Sequence, residues 1–216
     1  MMDYAEARKA MVDCQVRPSD VTSYAIIEAM LEVPREEFVP ASRQAVAYAE
    51  ADITLDGGRE VAAPRTFAKM LEAASIGADD LVLDVNPGLG YSTAVLAKLA
   101  GAVVAAEPDV ALAGKLQATV AEMDIDNVVV AEDEGPGDPA NGPYDVIFVN
   151  TGVEEIPAAL TDQLKDGGRL VAIFMDGPSG QCRVQIRAGN ELSSRYMFDA
   201  TAKVLDGYHR AVEFSL

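Results

Sequence analysis

The chain has 216 residues, 50% of them apolar, with 17 basic and 35 acidic side chains and a net charge of −18 at neutral pH. That length is enough for one α/β domain with a sizeable core, and the apolar content excludes wholesale disorder. The negative charge excludes nucleic acid and anionic membranes as favoured partners, because both would be repelled at long range. Cys14 and Cys182 make no disulfide framework, and with no His cluster beside them a metal site is not expected. Each reads as a reduced, partly buried small hydrophobe. The start Met1-Met2-Asp3-Tyr4 lacks the basic, then apolar pattern of a secretory leader, and no apolar run approaches membrane-spanning length, so a cytoplasmic protein is expected.

In chain order, residues 5–16 and 21–33 read as two amphipathic helices, broken at Arg17-Pro18-Ser19-Asp20, where Ser19 or Asp20 suits an N-cap. Pro34 ends the second helix. Residues 35–48 are irregular or short helix, and Asp56-Gly57-Gly58 has turn chemistry. Pro64 suits the first position of a helix to about Ser75, with Phe67, Met70 and Leu71 inward. Residues 1–76 thus form a helical, loop-bearing segment ahead of a core over 77–216. In that core, strands over 81–85, 102–106, 127–131, 144–150 and 169–175 alternate with helices over 91–99, 108–123 and 154–164. This is the pattern of a mainly parallel, Rossmann-like sheet with helices on both faces. Residues 183–187 and 192–198 read as a hairpin across Gly189-Asn190, and 210–216 as a last strand, so the C-terminal end is antiparallel.

The core is organised around Leu81-Val82-Leu83-Asp84-Val85-Asn86-Pro87-Gly88-Leu89-Gly90-Tyr91: buried strand, Gly-rich turn, helix start. Glycines let the backbone approach a ligand, and a helix N-terminus offers unpaired N–H groups. Glu107 ends the next strand, about 20 residues beyond the turn, where such folds bind ribose hydroxyls. Asp84 and Glu107 would flank one crevice at the switch point of the sheet. Two carboxylates there suit a ligand with a cationic centre and a ribose better than one rich in phosphate; S-adenosylmethionine has an ammonium, a sulfonium and a ribose.

Four segments carry a family resemblance over nearly the whole chain. Val33-Pro34-Arg35-Glu36-Glu37-Phe38-Val39-Pro40, Asp84 to Tyr91, Pro143 to Val149 and Gln163 to Val171 resemble the protein-L-isoaspartate O-methyltransferases, class I enzymes that use S-adenosylmethionine. The resemblance implies cofactor contacts at Asp84, Asn86, Gly88, Gly90, Tyr91, Glu107 and Asp133 or Glu134. It implies a substrate loop over Gly58 to Pro64, with candidates Arg59, Glu60, Val61, Ala62 and Pro64. It also sets Gln15 and Arg17 in a segment near the active site, where a substrate contact and a surface helix end are equal alternatives. The implied partner is a protein or peptide bearing isoaspartyl residues; the oligomeric state is open.

The loop departs from the family pattern. The family's Ser falls on Ala62 and its Thr on Glu60, which puts a carboxylate beside the intended carboxylate substrate; Arg59 or Arg65 could offset it. In the turn, the family's first Gly is Asn86, and Pro87 and Leu89 replace small or polar residues. Three readings remain: carboxyl methylation of isoaspartyl sites, a diverged methyltransferase with another acceptor, and a non-catalytic binding protein that keeps the fold. His209, the only histidine, has no partner motif and reads as structural or exposed.

Overall fold

A computed structural model describes residues 3–131 and 135–211. Its framework is a seven-stranded sheet built from β3 (Leu81–Val85), β4 (Ala102–Ala106), β5 (Val128–Val130), β6 (Tyr144–Val153), β7 (Leu164–Asp176), β8 (Ser179–Ala188) and β9 (Glu191–Asp199). A separate hairpin, β1 (Ile53–Thr54) with β2 (Glu60–Val61), precedes it. The spatial order is β5-β4-β3-β6-β7-β8-β9. The first five strands are parallel, and β7-β8-β9 form an antiparallel meander. The chain leaves β3 toward β4 on one side and later returns to β6 on the other. The C-terminal end of β3 is therefore the switch point where a ligand crevice forms.

One face of the sheet is thickly covered. Helices α1 (Tyr4–Met11), α2 (Tyr24–Glu32), α3 (Pro64–Ala74) and α4 (Tyr91–Leu99) contribute Met11, Met30, Phe67, Leu71 and Leu96 to a core that also takes Val82, Val146, Phe148 and Val171 from the strands. Asp3 caps α1 by accepting from the N–H groups of Ala5 and Glu6. The chain continues past α1 through a π-helical turn, Val12–Val16, and a 3-10 turn, Arg17–Ser19. The break expected at Arg17–Asp20 is present, with Asp20 in the left-handed region at φ 62°, but the residue before α2 is Ser23, so neither Ser19 nor Asp20 caps it. Pro64 opens α3 as expected, and α5 (Val110–Glu122) starts after an Asp109 cap rather than at Pro108.

The opposite face is thinner. The helix expected over 154–164 shrinks to the single turn α6, Ala158–Thr161. Its N-terminal part is lost because the Glu154 and Glu155 N–H groups donate to the Tyr208 carbonyl and Pro157 stands at the N-cap, and its C-terminal part because Leu164 already pairs with Tyr144. Among the described residues, this face is covered beyond Leu160 by Leu205 and Tyr208, from a strap after β9, with Ile156 and Val204 packed partly buried against it. The strap is fixed to the end of β6: the Gly152 N–H and the Thr151 hydroxyl donate to the Lys203 carbonyl at 2.9 and 2.7 Å, and the Glu154 N–H donates to the Tyr208 carbonyl at 2.8 Å. The strand expected over 210–216 lies almost wholly outside the described residues. No helix among the described residues is long and apolar enough to cross a membrane.

Cys182 is buried, which pushes its thiol up to about 12 and leaves it an inert small hydrophobe. Cys14 is exposed on the π-helical turn, contrary to the partial burial expected from composition: the turn's apolar Val12 and Val16 take the inward positions.

Candidate active site

The C-terminal ends of β3 and β4 border a crevice of about 540 Å³. Its floor is Val85, Asn86, Ala106 and Pro108, its far wall is Gly135 to Gly137, and its roof is the strap from Lys203 to Tyr208. The turn that shapes it follows from its residue types. Asn86 sits at φ 56°, Gly88 at 63° and Gly90 at 94°, all left-handed. Asn is among the side-chain-bearing residues most tolerant of that region, which is why it can stand where a glycine would otherwise be needed. At Gly90 a Cβ would lie 2.9 Å from the Leu116 side chain, so α5 can close on the turn only over a glycine.

Asp84 is fully buried one residue before the end of β3. Its Oδ2 accepts from the Ser92 and Thr93 hydroxyls at 2.8 and 2.7 Å, and its Oδ1 from the Asn150 amide at 2.5 Å. Burial pushes its carboxyl up to about 7 even though those three donors pull the other way. Asp84 therefore ties β3 to the start of α4 and the end of β6 and does not line the crevice. Asn150 donates a further bond to the Val85 carbonyl at 3.1 Å.

Glu107, at the end of β4, is the best-connected group of the site. Its Oε2 accepts from the Gly88 N–H at 2.9 Å and its Oε1 from the Asp109 N–H at 3.0 Å. Arg59 reaches it from the hairpin between β1 and β2: Nη2 lies 2.7 Å from Oε1, and Nε lies 3.0 and 3.1 Å from the two oxygens. The Glu107 side chain is wholly buried and that of Arg59 is 12% exposed. Arg59 itself lines the crevice.

Glu60 and Ala62 line a separate, small opening of about 20 Å³, bounded also by Asp52, Phe148, Asn150 and Ala202. Burial, with Asp52 nearby, raises the Glu60 carboxyl above its ordinary range against the pull of the Lys203 N–H, 3.4 Å away. Asp52 accepts from the Ala63 N–H at 2.7 Å. The Ala62 carbonyl accepts from Arg35 Nη2 at 2.8 Å, and Arg35 Nε donates to the Ala47 carbonyl at 2.7 Å. Arg35 is entirely buried, its guanidinium 4.8 Å from the centre of the Tyr91 ring.

The structure thus brings together Asn86, Gly88, Glu107, Arg59, Glu60 and Ala62. Val61 is buried in β2, and Pro64 is the first residue of α3. Tyr91 stays out of the crevice: its ring packs on Phe38 and Phe67 at 5.8 and 5.3 Å, because the first turn of α4 faces the thick core. Gln15 donates to the Tyr48 carbonyl, and Arg17 pairs with Asp13 on the surface, so neither lines the crevice or the opening. Arg59 pairs with Glu107 and not with Glu60. Asp133 and Glu134 lie outside the described residues. Sequence reasoning missed Asn150, which the end of a strand next to Asp84 could have suggested, and Tyr208. The Tyr208 hydroxyl accepts from the Asn86 amide at 3.2 Å, and no motif marks it.

A family model described as protein-L-isoaspartate(D-aspartate) O-methyltransferase matches residues 6–197. Protein-L-isoaspartate O-methyltransferase 2 of Anaeromyxobacter sp. (strain Fw109-5) is 36% identical over 180 residues, 83% of this chain and 73% of that one. Protein-L-isoaspartate O-methyltransferase of Roseiflexus castenholzii is 32% identical over 210 residues, 96% and 95% of the two chains. Among solved structures, a protein-L-isoaspartate O-methyltransferase superposes with a TM-score of 0.81 at 26% identity, covering 93% of this chain and 66% of the other. A Plasmodium falciparum structure in complex with S-adenosyl-L-homocysteine gives 0.75 at 17% identity over 95% and 99% of the chains, a likeness of fold. With the family pattern running from residue 6 to residue 197, on a fold that superposes on a solved member, this chain belongs to the protein-L-isoaspartate(D-aspartate) O-methyltransferase family.

Proposed function

We propose that the chain is an S-adenosylmethionine-dependent methyltransferase that methylates the free carboxylate of isoaspartyl residues in proteins. Family membership supports this, and the observation that carries it is the left-handed Asn86–Gly90 turn closed onto Glu107 through the Gly88 N–H. The residues present fit the cofactor. The crevice is within the ~300–1,000 Å³ of small-molecule sites, and its lining includes Asn86 of the turn and Arg59, behind which the Glu107 carboxylate is buried at the β4 end. Asn86 and Glu107 would hold the nucleoside, with Leu205 and Tyr208 above it. The cofactor supplies a methyl group activated on a sulfonium.

The protein's part is placement. A substrate carboxylate is ionised at neutral pH, so no general base is needed. The Gly88 and Asp109 N–H groups fix Glu107, and the Ser92, Thr93 and Asn150 donors fix Asp84 and with it the turn. Arg35 pins the backbone at Ala62, beside the path of the acceptor. The strap lies over the crevice, and holding the reacting groups in line provides the rest. Losing a hydroxyl at Ala62 removes one hydrogen bond to a charged group, about 1.5–3 kcal/mol, which slows such a reaction without abolishing it.

A second reading, methyl transfer to a neutral or cationic acceptor, is favoured by the two carboxylates, Asp52 and Glu60, at the opening. Its working compartment is the cytoplasm in either reading, in keeping with two free thiols. Calorimetric titration with S-adenosylhomocysteine tests the cofactor half, with micromolar binding expected; no binding at millimolar ligand removes both methyltransferase readings. Methylation of an isoaspartyl peptide, against the same peptide with ordinary Asp, tests the acceptor half. Transfer to the isoaspartyl peptide alone is expected, and transfer to neither peptide leaves the second reading.

A further inference from the structure

Glu107 has no acceptor capacity to spare. A carboxylate offers about four lone-pair sites, and four N–H groups already point at this one: Gly88 N, Asp109 N, Arg59 Nε and Arg59 Nη2. The two backbone donors belong to fixed structure, the turn after β3 and the cap of α5. The two Arg59 donors hang on a side chain, in a loop whose Gly57 and Gly58 sit at φ 65° and 76° and whose flanking strands are two residues each. A ribose diol also needs two acceptor positions on this carboxylate. It can gain them only where Arg59 now bonds.

The second observation is on the acceptor side. The opening beside the crevice is lined by Asp52 and Glu60 and by no basic residue; the cations nearby, Lys203 and Arg59, line the crevice itself. An anionic acceptor approaching the crevice from that side meets like charge in a site of low dielectric. Arg59 is the only basic residue between Asp52 and Pro64 and is the neighbour of Glu60.

We propose that Arg59 and the nucleoside ribose are alternative partners of Glu107, and that seating the nucleoside hands the Arg59 guanidinium to the acceptor side, where it clamps the substrate carboxylate. Arg59 is then the residue that makes an acid-lined opening accept an anion, and it orders the reaction: nucleoside first, acceptor second. A planar guanidinium matches a carboxylate in both positions, bidentate on Glu107 before and on the acceptor after. This rests on the reading of the crevice as an S-adenosylmethionine site.

The test compares wild type with Arg59→Gln and Arg59→Lys, with thermal melting to show that each variant is folded. Calorimetric titration with S-adenosylhomocysteine is expected to give about tenfold tighter binding in Arg59→Gln, the equivalent of one charge-assisted hydrogen bond no longer displaced. Arg59→Lys, a point charge without the fork, falls between. With S-adenosylmethionine saturating, the KM for an isoaspartyl peptide rises at least about tenfold in Arg59→Gln, more than kcat falls, and Arg59→Lys recovers part of it. Unchanged or weaker S-adenosylhomocysteine binding in both variants overturns the competition, and an unchanged peptide KM overturns the clamp. Wild type that fails to bind S-adenosylhomocysteine overturns the underlying function, an outcome distinct from either.

Discussion

Asp84 and Arg35 are both wholly buried, and both act on the site through backbone they hold in place. Asp84 titrates at about 7 in the folded chain, against ~3.9 for an unfolded aspartate. Between those values the folded state binds more protons than the unfolded one, so this group makes stability fall as pH rises from about 4 to about 7, with no further contribution above or below. Asp84→Asn removes that slope. Urea midpoints at pH 4.5 and 7.5 are expected to show the variant gaining on wild type as pH rises, by ~1.4 kcal/mol for each pKa unit of the shift; a parallel pair of pH profiles would refute the assignment. Arg35 has no carboxylate partner among the described residues and instead spans the Ala47 and Ala62 carbonyls. Lysine cannot donate from two fixed positions at once. Arg35→Lys should cost about 2 kcal/mol of stability, one charge-assisted hydrogen bond. It should raise the acceptor KM while S-adenosylhomocysteine affinity holds, since the bond that is lost is on the acceptor loop. A drop in both affinities alike would mean Arg35 is merely structural.

At the scale of elements, the strap is what distinguishes the crevice from an open sheet end. It can lie on β6 because Gly152 has no side chain: a Cβ there would meet the Ala202 carbonyl. Gly152→Val is expected to lift the strap, weakening S-adenosylhomocysteine by about tenfold or more while far-ultraviolet circular dichroism stays near wild type; unaltered affinity would show that the strap contributes nothing to binding. The strap was also the element least legible in the sequence. The unit from Leu81 to Ala106 could be read directly, because an apolar run, three turn-formers and a 3.6-residue period each point to one conformation. So could the hairpin of β8 and β9, from its Gly-Asn turn. Residues 154–164 misled because Ile156, Leu160 and Leu164 have helical spacing, whereas Pro157 and the pairing of Leu164 with Tyr144 leave room for one turn. Residues 203–208 have no period at all, since they are held largely through their backbone carbonyls at Lys203 and Tyr208. Within the candidate site, Glu107 drew notice from its place at the end of a strand and Asn86 from its place in the Gly-rich turn. The Arg59–Glu107 pair was not, for the two residues lie 48 apart and meet through long side chains that follow no repeat.

At the scale of the whole molecule, the excess of 18 negative charges sets the response to salt. The described ion pairs include exposed ones such as Arg17–Asp13 and Lys98–Glu32, each worth little in water. Repulsion among unpaired carboxylates is the larger long-range effect, and screening relieves it. The melting temperature is expected to rise by a few degrees between about 0.05 and 0.5 M sodium chloride, whereas a surface held together by ion pairs would lose stability over the same range. The buried Arg59–Glu107 pair is sheltered from that screening, so S-adenosylhomocysteine affinity should change less with salt than stability does.

The order of the segments along the chain has one more consequence. The Gly-rich turn and Glu107 are translated early, every strand of the described sheet is complete by Asp199, and only afterwards do residues 203–208 arrive to cover the crevice. A nascent chain emerging from the ribosome, folding as it lengthens, therefore carries the crevice floor for some time without Leu205 or Tyr208. Leu205 and Tyr208 thus close over a floor that the earlier segments have already laid down.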